Sequence, residues 1–110
     1  AKAETLENLG MSEAIVQRLF DQFFTTGEKS IAKLADAIER EDLDQIEMEA
    51  HNLKGVALTL HLPILVEPAK LIESKALRRE SFDYAHTFKI LKGHFKELQM
   101  TYNAEKERSS

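Results

Sequence analysis

The chain of 110 residues contains no cysteine and no tryptophan, and has only four glycines and two prolines. Without cysteine, disulfides, thiolate zinc sites and cysteine nucleophiles are all excluded. No apolar run approaches the roughly 18 residues that cross a bilayer, because Thr59, His61 and Pro63 interrupt the longest one, residues 56–66. The N-terminus lacks the basic-then-apolar order of a signal peptide. We therefore expect a cytoplasmic protein without direct membrane insertion.

Basic residues are also fewer than acidic ones: the chain has 15 Lys and Arg residues and 19 Asp and Glu residues, which gives a net charge of −4. Such a chain has no excess positive field to hold a phosphate backbone, so nucleic acid is not an expected partner. Apolar residues make up 43% of the chain and charged residues 31%. This mixture and this length predict one folded domain over residues 1–110.

Helix is the only secondary structure with sustained support, because apolar residues recur at helical spacing and no alternating strand pattern occurs. Five helices are predicted, over residues 12–26, 28–40, 43–60, 63–77 and 82–103. The polar residues 104–110 are expected to form a frayed tail, which leaves a folded core over about 12–103.

Local signals set the first boundaries. Met11 and Val16 have the spacing of a hydrophobic staple for a helix that starts after Ser12 and ends before Gly27. Thr25 and the glutamate three residues later have capping-box spacing for a second helix. These signals predict two separate helices before residue 41.

The His-containing third helix has an Asp42 cap and a clear apolar seam. The seam residues alternate by four and three positions and are Ile46, Ala50, Leu53, Ala57 and Leu60. Pro63 suits the first position of the fourth helix, whereas Pro68 either kinks that helix or marks a later start. Ser81 and Asp83 are expected to open the fifth helix.

The connections between these helices are short, so consecutive helices run antiparallel. We therefore predict an all-α fold: an antiparallel up-and-down four-helix bundle built from the second to fifth helices, with the additional N-terminal helix packed across it. A bundle that closes its own core is expected to be a monomer.

The outward face of the third helix carries the candidate chemistry. At about 100° per residue, His51 points roughly 140° away from the seam, so its imidazole is expected in solvent without a buried partner. Gly55 lies one turn later and leaves room beside the ring, although Gly costs about 1 kcal/mol there relative to Ala. Lys54 can neutralise an anion carried on the ring, and Glu47 and Leu58 are candidate docking contacts.

An exposed imidazole with space and a cation beside it can act as a nucleophile toward a phosphoryl group. The sequence has no glycine-rich loop, no P-loop lysine and no Mg²⁺ carboxylate cluster, so another protein must deliver that group. Asp83 and His86 have the spacing of a di-iron bundle motif, but no second copy exists. No metal site is therefore predicted.

Residues Ala50-His51-Asn52-Leu53-Lys54-Gly55 resemble the A-H-x-L-K-G core of histidine-containing phosphotransfer (HPt) domains. The proline after the His helix and the stretch 69–73 also lie where the helical bundle of that family would have them. The resemblance implies that His51 accepts a phosphoryl group from the aspartyl phosphate of one receiver domain and passes it to an aspartate of another.

The resemblance also implies a two-component phosphorelay intermediate without ATP-dependent kinase activity. Lys54 would stabilise the transferring group electrostatically and Gly55 would provide steric clearance. No cofactor is expected on this chain, because the receiver domain of a sensor kinase or response regulator would contribute the Mg²⁺. Leu58, Thr59 and His61 stand where the family commonly has small residues and a glycine. This departure from the family pattern affects the end of the His-containing helix and the surface that would contact a receiver domain.

The residues leave one alternative from another functional class. A non-catalytic adaptor on the same bundle would use its exposed apolar residues to recognise a signalling partner, and His51 would never carry phosphate. Transfer of phosphate to the wild-type chain and not to a His51→Gln variant distinguishes the two.

Overall fold

The computed structural model describes residues 13–109, which form four α-helices. These are α1 (Glu13–Glu39), α2 (Leu43–Thr59), α3 (Pro63–Leu77) and α4 (Tyr84–Ser109). Each helix packs against the next along the chain, and α4 closes the ring against α1. The described residues therefore form the predicted all-helical, up-and-down four-helix bundle, in which α2 and α4 lie diagonally opposite.

The three connections between helices share one geometry. Each contains one residue in the left-handed region, namely Glu41, His61 and Arg79, with φ of 55°, 57° and 58°. At the first turn, the Asp42 N–H donates to the Ala37 carbonyl and the Glu41 N–H donates to the Ile38 carbonyl, and both other turns repeat this pattern. This is the Schellman arrangement, here without glycine, and it reverses the chain within a few residues.

A single continuous helix replaces the two predicted before residue 41, so the expected separate N-terminal helix packed across the bundle is wrong for the described residues. Thr25 does not cap a second helix, because its hydroxyl donates to the Asp21 carbonyl one turn earlier. Gly27 does not end the first helix either, since it is buried against Phe95 of α4. The predicted start at Ser12 and the contribution of Met11 lie outside the described residues.

Gly27 has a packing role in this continuous helix. A Cβ at this position would lie 2.6 Å from Cε1 of Phe95. The absence of a side chain thus allows α1 and α4 to approach closely around an aromatic cluster of Phe20, Phe23, Phe24, Phe95 and Tyr102. The interior of a helix tolerates Gly at a cost of about 1 kcal/mol, which this packing offsets.

The predicted seam of α2 is confirmed, since all five of its residues are buried in the core. The predicted cap is also confirmed, because the Asp42 carboxylate accepts a hydrogen bond from the Gln45 N–H at 3.2 Å. The helix α3 starts at Pro63 and continues through Pro68, so the later start considered for it is wrong.

The last helix runs to Ser109, six residues beyond the predicted end at 103. Lys106 explains part of the extension, because its ammonium donates to Asp21 of α1 at 2.8 Å. Basic residues in a final helical turn also interact favourably with the negative end of the helix dipole. Among the helices of residues 13–109, none is long and apolar enough to cross a membrane.

Candidate functional site

His51 lies on the outward face of α2, directly opposite a buried seam. Its side chain is 64% exposed, in agreement with the expected orientation. The expectation that it has no buried partner is wrong, because its Nδ1 lies 2.6 Å from Oε2 of Glu73 on α3. The ring is therefore exposed on one side and held on the other.

Glu73 joins the two helices at the site and is only 14% exposed. Its other oxygen, Oε1, accepts from the Lys54 ammonium at 2.6 Å. Burial alone raises the pKa of Glu73, but the hydrogen bonds and positive charge of Lys54 and His51 outweigh it and lower this pKa below its ordinary value of 4.5. The carboxylate is therefore ionised at neutral pH, with one partner on each oxygen.

This contact fixes the tautomer of His51. An ionised carboxylate has no proton to donate, so the short contact requires Nδ1–H to donate to Glu73. In the neutral imidazole, the proton on Nδ1 leaves the lone pair on Nε2. Within the described residues, Nε2 has no hydrogen-bond partner, so the nitrogen that carries the lone pair faces solvent.

Lys54 occupies a different position from the one expected. It was predicted to reach over the outer surface beside the ring, yet its side chain is only 24% exposed and its ammonium contacts Glu73. The arrangement places a cation and an anion side by side at the Nδ1 edge of the ring. The carboxylate therefore holds the imidazole without presenting an unbalanced negative charge to a group that approaches the ring.

Open space surrounds His51 along α2. A Cβ built on Gly55 would meet no atom within 4 Å beyond its chain neighbours and its own helix backbone among the described residues. Its role as clearance for a reacting group stays a prediction. Leu58 is 55% exposed, and Met48, three residues before His51, is 47% exposed. These residues share one exposed stripe, whereas Glu47 is half-buried. Sequence reasoning missed Met48, although its spacing from His51 could have identified it.

An apolar groove borders this stripe on its α1 side. The groove has a volume of about 530 Å³. It is lined by Asn52 and Val56 of α2, by Leu60 directly after α2, and by residues of α1 that include Leu19 and Phe23. Because Asn52 and Val56 directly neighbour the stripe residues in sequence, the groove extends the exposed surface around His51. A protein partner could therefore contact apolar and polar surface at once.

Asp83 and His86, which have the spacing of a di-iron motif, are joined by a helix-capping contact. The Asp83 carboxylate accepts a hydrogen bond from the His86 backbone N–H at 3.0 Å, as a capping residue of α4 does. No group of three or more His, Asp or Glu residues within 13–109 could hold a metal ion.

A family model described as Hpt domain matches residues 18–100, which are 83 of the 110 residues and include every residue of the site. The chain belongs to the Hpt domain family. Membership of this family implies phosphotransfer in two-component signalling, and the family resemblance of the A-H-x-L-K-G segment is thus confirmed. No curated protein and no solved structure matches the chain. In this Hpt domain, the His51, Lys54 and Glu73 side chains form the polar centre of the site.

Proposed function

We propose that this Hpt domain relays a phosphoryl group between aspartates of receiver domains by carrying it on Nε2 of His51. The observation that supports this proposal most strongly is the hydrogen bond from Nδ1–H to Glu73. It holds the proton on the inner nitrogen and leaves the lone pair on the outer one. The exposure of the ring allows a receiver domain to reach that nitrogen.

The transfer step balances without a separate general base. The Nε2 lone pair attacks the phosphorus of an aspartyl phosphate, the N–P bond forms, and the P–O bond to the aspartate breaks. The aspartate leaves as a carboxylate, and the ring, which keeps its Nδ1 proton, becomes positively charged. Glu73 stabilises this charge through a hydrogen bond that strengthens as the charge develops.

The return step uses the same groups in reverse. A carboxylate oxygen of the second receiver attacks phosphorus, the N–P bond breaks, and the electron pair returns to Nε2. Because Nδ1 remains protonated, the leaving group is a neutral imidazole and not an imidazolate anion. Glu73 therefore assists both phosphorylation and release, as a reversible relay requires.

Lys54 has an electrostatic role in this proposal. Its ammonium balances the charge of Glu73, so the approach of a phosphoryl dianion is not opposed. Gly55 provides the clearance, and the exposed side chains of Met48 and Leu58 contact the receiver, with Glu47 at the rim. The phosphoryl chemistry also needs Mg²⁺, which the acidic site of the receiver would hold. The monomeric state and the cytoplasmic location stay predictions.

A transfer assay tests the proposal. A receiver domain carrying aspartyl phosphate is mixed with the Hpt domain and Mg²⁺, without ATP, and acid-labile phosphate is followed onto the chain. We expect transfer to the wild type and to His86→Gln, an exposed histidine on α4 that serves as the matched control. We expect none to His51→Gln, with unchanged circular dichroism because an exposed side chain contributes little packing.

Two outcomes of this assay contradict the proposal. The first is equal transfer to His51→Gln, because another residue must then carry the phosphate. The second is the absence of transfer from a broad panel of receivers, one of which binds the wild type. That second result would favour the non-catalytic adaptor.

A further inference from the structure

Gly93 lies at the centre of the outward face of α4. At about 100° per residue, it points roughly 160° away from both Leu91 and Phe95, which are buried in the core. A Cβ at Gly93 would meet no atom within 4 Å among the described residues. Packing within residues 13–109 therefore gives no reason for a residue that weakens a helix relative to Ala. Gly27, in contrast, is required by its contact with Phe95.

Two large apolar side chains lie on the same face as Gly93. Ile90, three residues earlier, is 44% exposed, and Met100, seven residues later, is 72% exposed. Gly93 lies between them and leaves the helix backbone accessible, and Glu97 separates Gly93 from Met100 on the same face. A small residue at this position lets a second helix approach closely, as at a helix crossing point.

A row of lysines flanks this apolar line. Lys89, Lys92 and Lys96 are exposed, and none of them lies within 4 Å of a carboxylate of the described residues. Other cations of the described residues, such as Lys54 and Lys106, are paired with carboxylates. Glu97, four residues after Gly93, lies on the same face and is 79% exposed, with His94 as its ion-pair partner at 3.7 Å. Three lysines against this one carboxylate leave this face of α4 with a net positive charge.

We propose that the α4 surface, made of Lys89, Ile90, Lys92, Gly93, Lys96 and Met100, binds an acidic amphipathic helix of a partner protein. The lysines are spaced i, i+3 and i+7, so one face of a helix can present carboxylates to all three. The apolar residues and the clearance at Gly93 fit the side chains of a protein helix better than the phosphate backbone of a nucleic acid. The overall negative charge also opposes binding of a polyanion.

This surface is distinct from the phosphotransfer site. The helix α4 packs against α1 and α3, and no Cα atom of α4 lies within 8 Å of a Cα atom of α2. A partner on α4 and a receiver on α2 would therefore bind on opposite sides of the bundle. The α4 surface could tether this Hpt domain to a signalling assembly while His51 exchanges phosphate.

A peptide titration tests the α4 proposal. The probe is a synthetic helical peptide with glutamates spaced i, i+3 and i+7 beside a line of leucines, and the control peptide has glutamine at those positions. Amide chemical shifts of the ¹⁵N-labelled full chain report the binding site. We expect the acidic peptide to shift residues 89–100 and not 47–58, and to bind more tightly than the control peptide.

Variants then test the residues. We expect Lys92→Glu combined with Lys96→Glu to weaken binding about tenfold, and Gly93→Leu to weaken it because the new side chain fills the clearance. Lys33→Glu, at an exposed position on α1, is the matched control and should leave binding unchanged. Circular dichroism and phosphotransfer through His51 should remain unaffected in all of these variants.

Three results would overturn the α4 proposal. One is affinity that does not respond to charge reversal or to Gly93→Leu. Another is a shift pattern centred on residues 47–58. The third is binding of a DNA duplex or a phosphatidylserine vesicle to residues 89–100 at least as tight as that of the peptide, because the surface would then recognise polyanions.

Discussion

Replacement of Glu73 tests the electrostatic basis of phosphotransfer. A hydrogen bond to a charged acceptor contributes about 1.5–3 kcal/mol and one to a neutral acceptor about 0.5–1.5 kcal/mol. Glu73→Gln keeps an acceptor for Nδ1–H but removes the charge, so about 1 kcal/mol of stabilisation is lost as the ring becomes positive. Since 1.4 kcal/mol corresponds to a tenfold change in rate, we expect transfer to slow about 5-fold. Glu73→Ala removes the whole interaction and should slow transfer about 10- to 100-fold.

Rapid-quench measurement of transfer from a phosphorylated receiver gives these rates. The ¹⁵N chemical shifts of the His51 ring provide a second readout, which a purely structural role of Glu73 would not change. In the wild type we expect the Nδ1–H tautomer, and in Glu73→Ala a larger population of the Nε2–H tautomer. Wild-type transfer rates in both variants, with an unchanged tautomer, would refute the role assigned to Glu73.

The remaining predictions concern glycine packing and pH. Gly55→Ala and Gly93→Ala should each raise the free energy of unfolding by about 1 kcal/mol, because neither new Cβ meets an atom of another element. Only Gly55→Ala should slow phosphotransfer. Equal slowing by both variants would contradict the proposal that Gly55 leaves space for the phosphoryl group. Gly27→Ala should lower that free energy by up to about 2 kcal/mol in denaturant unfolding, because overpacking against Phe95 exceeds the gain in helix propensity. The lowered pKa of Glu73 means that its ionised form stabilises the fold above the unfolded-state pKa, and that this contribution is lost as pH falls through the folded-state pKa. The difference in the free energy of unfolding between the wild type and Glu73→Gln should therefore shrink below pH 4.5. A difference that grows below this pH would mean that folding raises the pKa of Glu73, which would contradict the account.

Local sequence patterns predicted most of the bundle. The spacing of Ile46, Ala50 and Leu53 identified the buried face of α2, and the Asp42 cap marked its start. These features depend on neighbours within one or two helical turns, so the sequence alone contains the information. The same applies to the exposure of His51 and the clearance at Gly55, which follow from helical geometry.

The errors concern contacts between segments that are distant in sequence. Gly27 was interpreted as a helix end because glycine is common there, but Phe95, 68 residues later, gives it a packing role that no local pattern contains. The three turns, in contrast, were predicted to within about two residues, although no glycine marks the left-handed positions Glu41, His61 and Arg79. At Gly27, tertiary packing overrides the local preference.

Glu73 is the residue of the proposed site that the sequence analysis did not identify. It lies 22 residues from His51, on another helix, and its sequence surroundings are those of an ordinary surface glutamate. Only the packing of α3 against α2 places its carboxylate at the Nδ1 edge of the imidazole and beside Lys54. A search for a carboxylate on the facing helix could have suggested a partner, but not the division of its two oxygens between His51 and Lys54.

The most direct test of the central claim is to locate the phosphate on the phosphorylated chain. ³¹P and ¹⁵N spectra of the domain, phosphorylated by a receiver in the presence of Mg²⁺, distinguish the two ring nitrogens. The account predicts one phosphohistidine, bonded through Nε2 of His51, with Nδ1 still protonated toward Glu73. Phosphate on Nδ1 of His51, or on His61, His86 or His94, would contradict it.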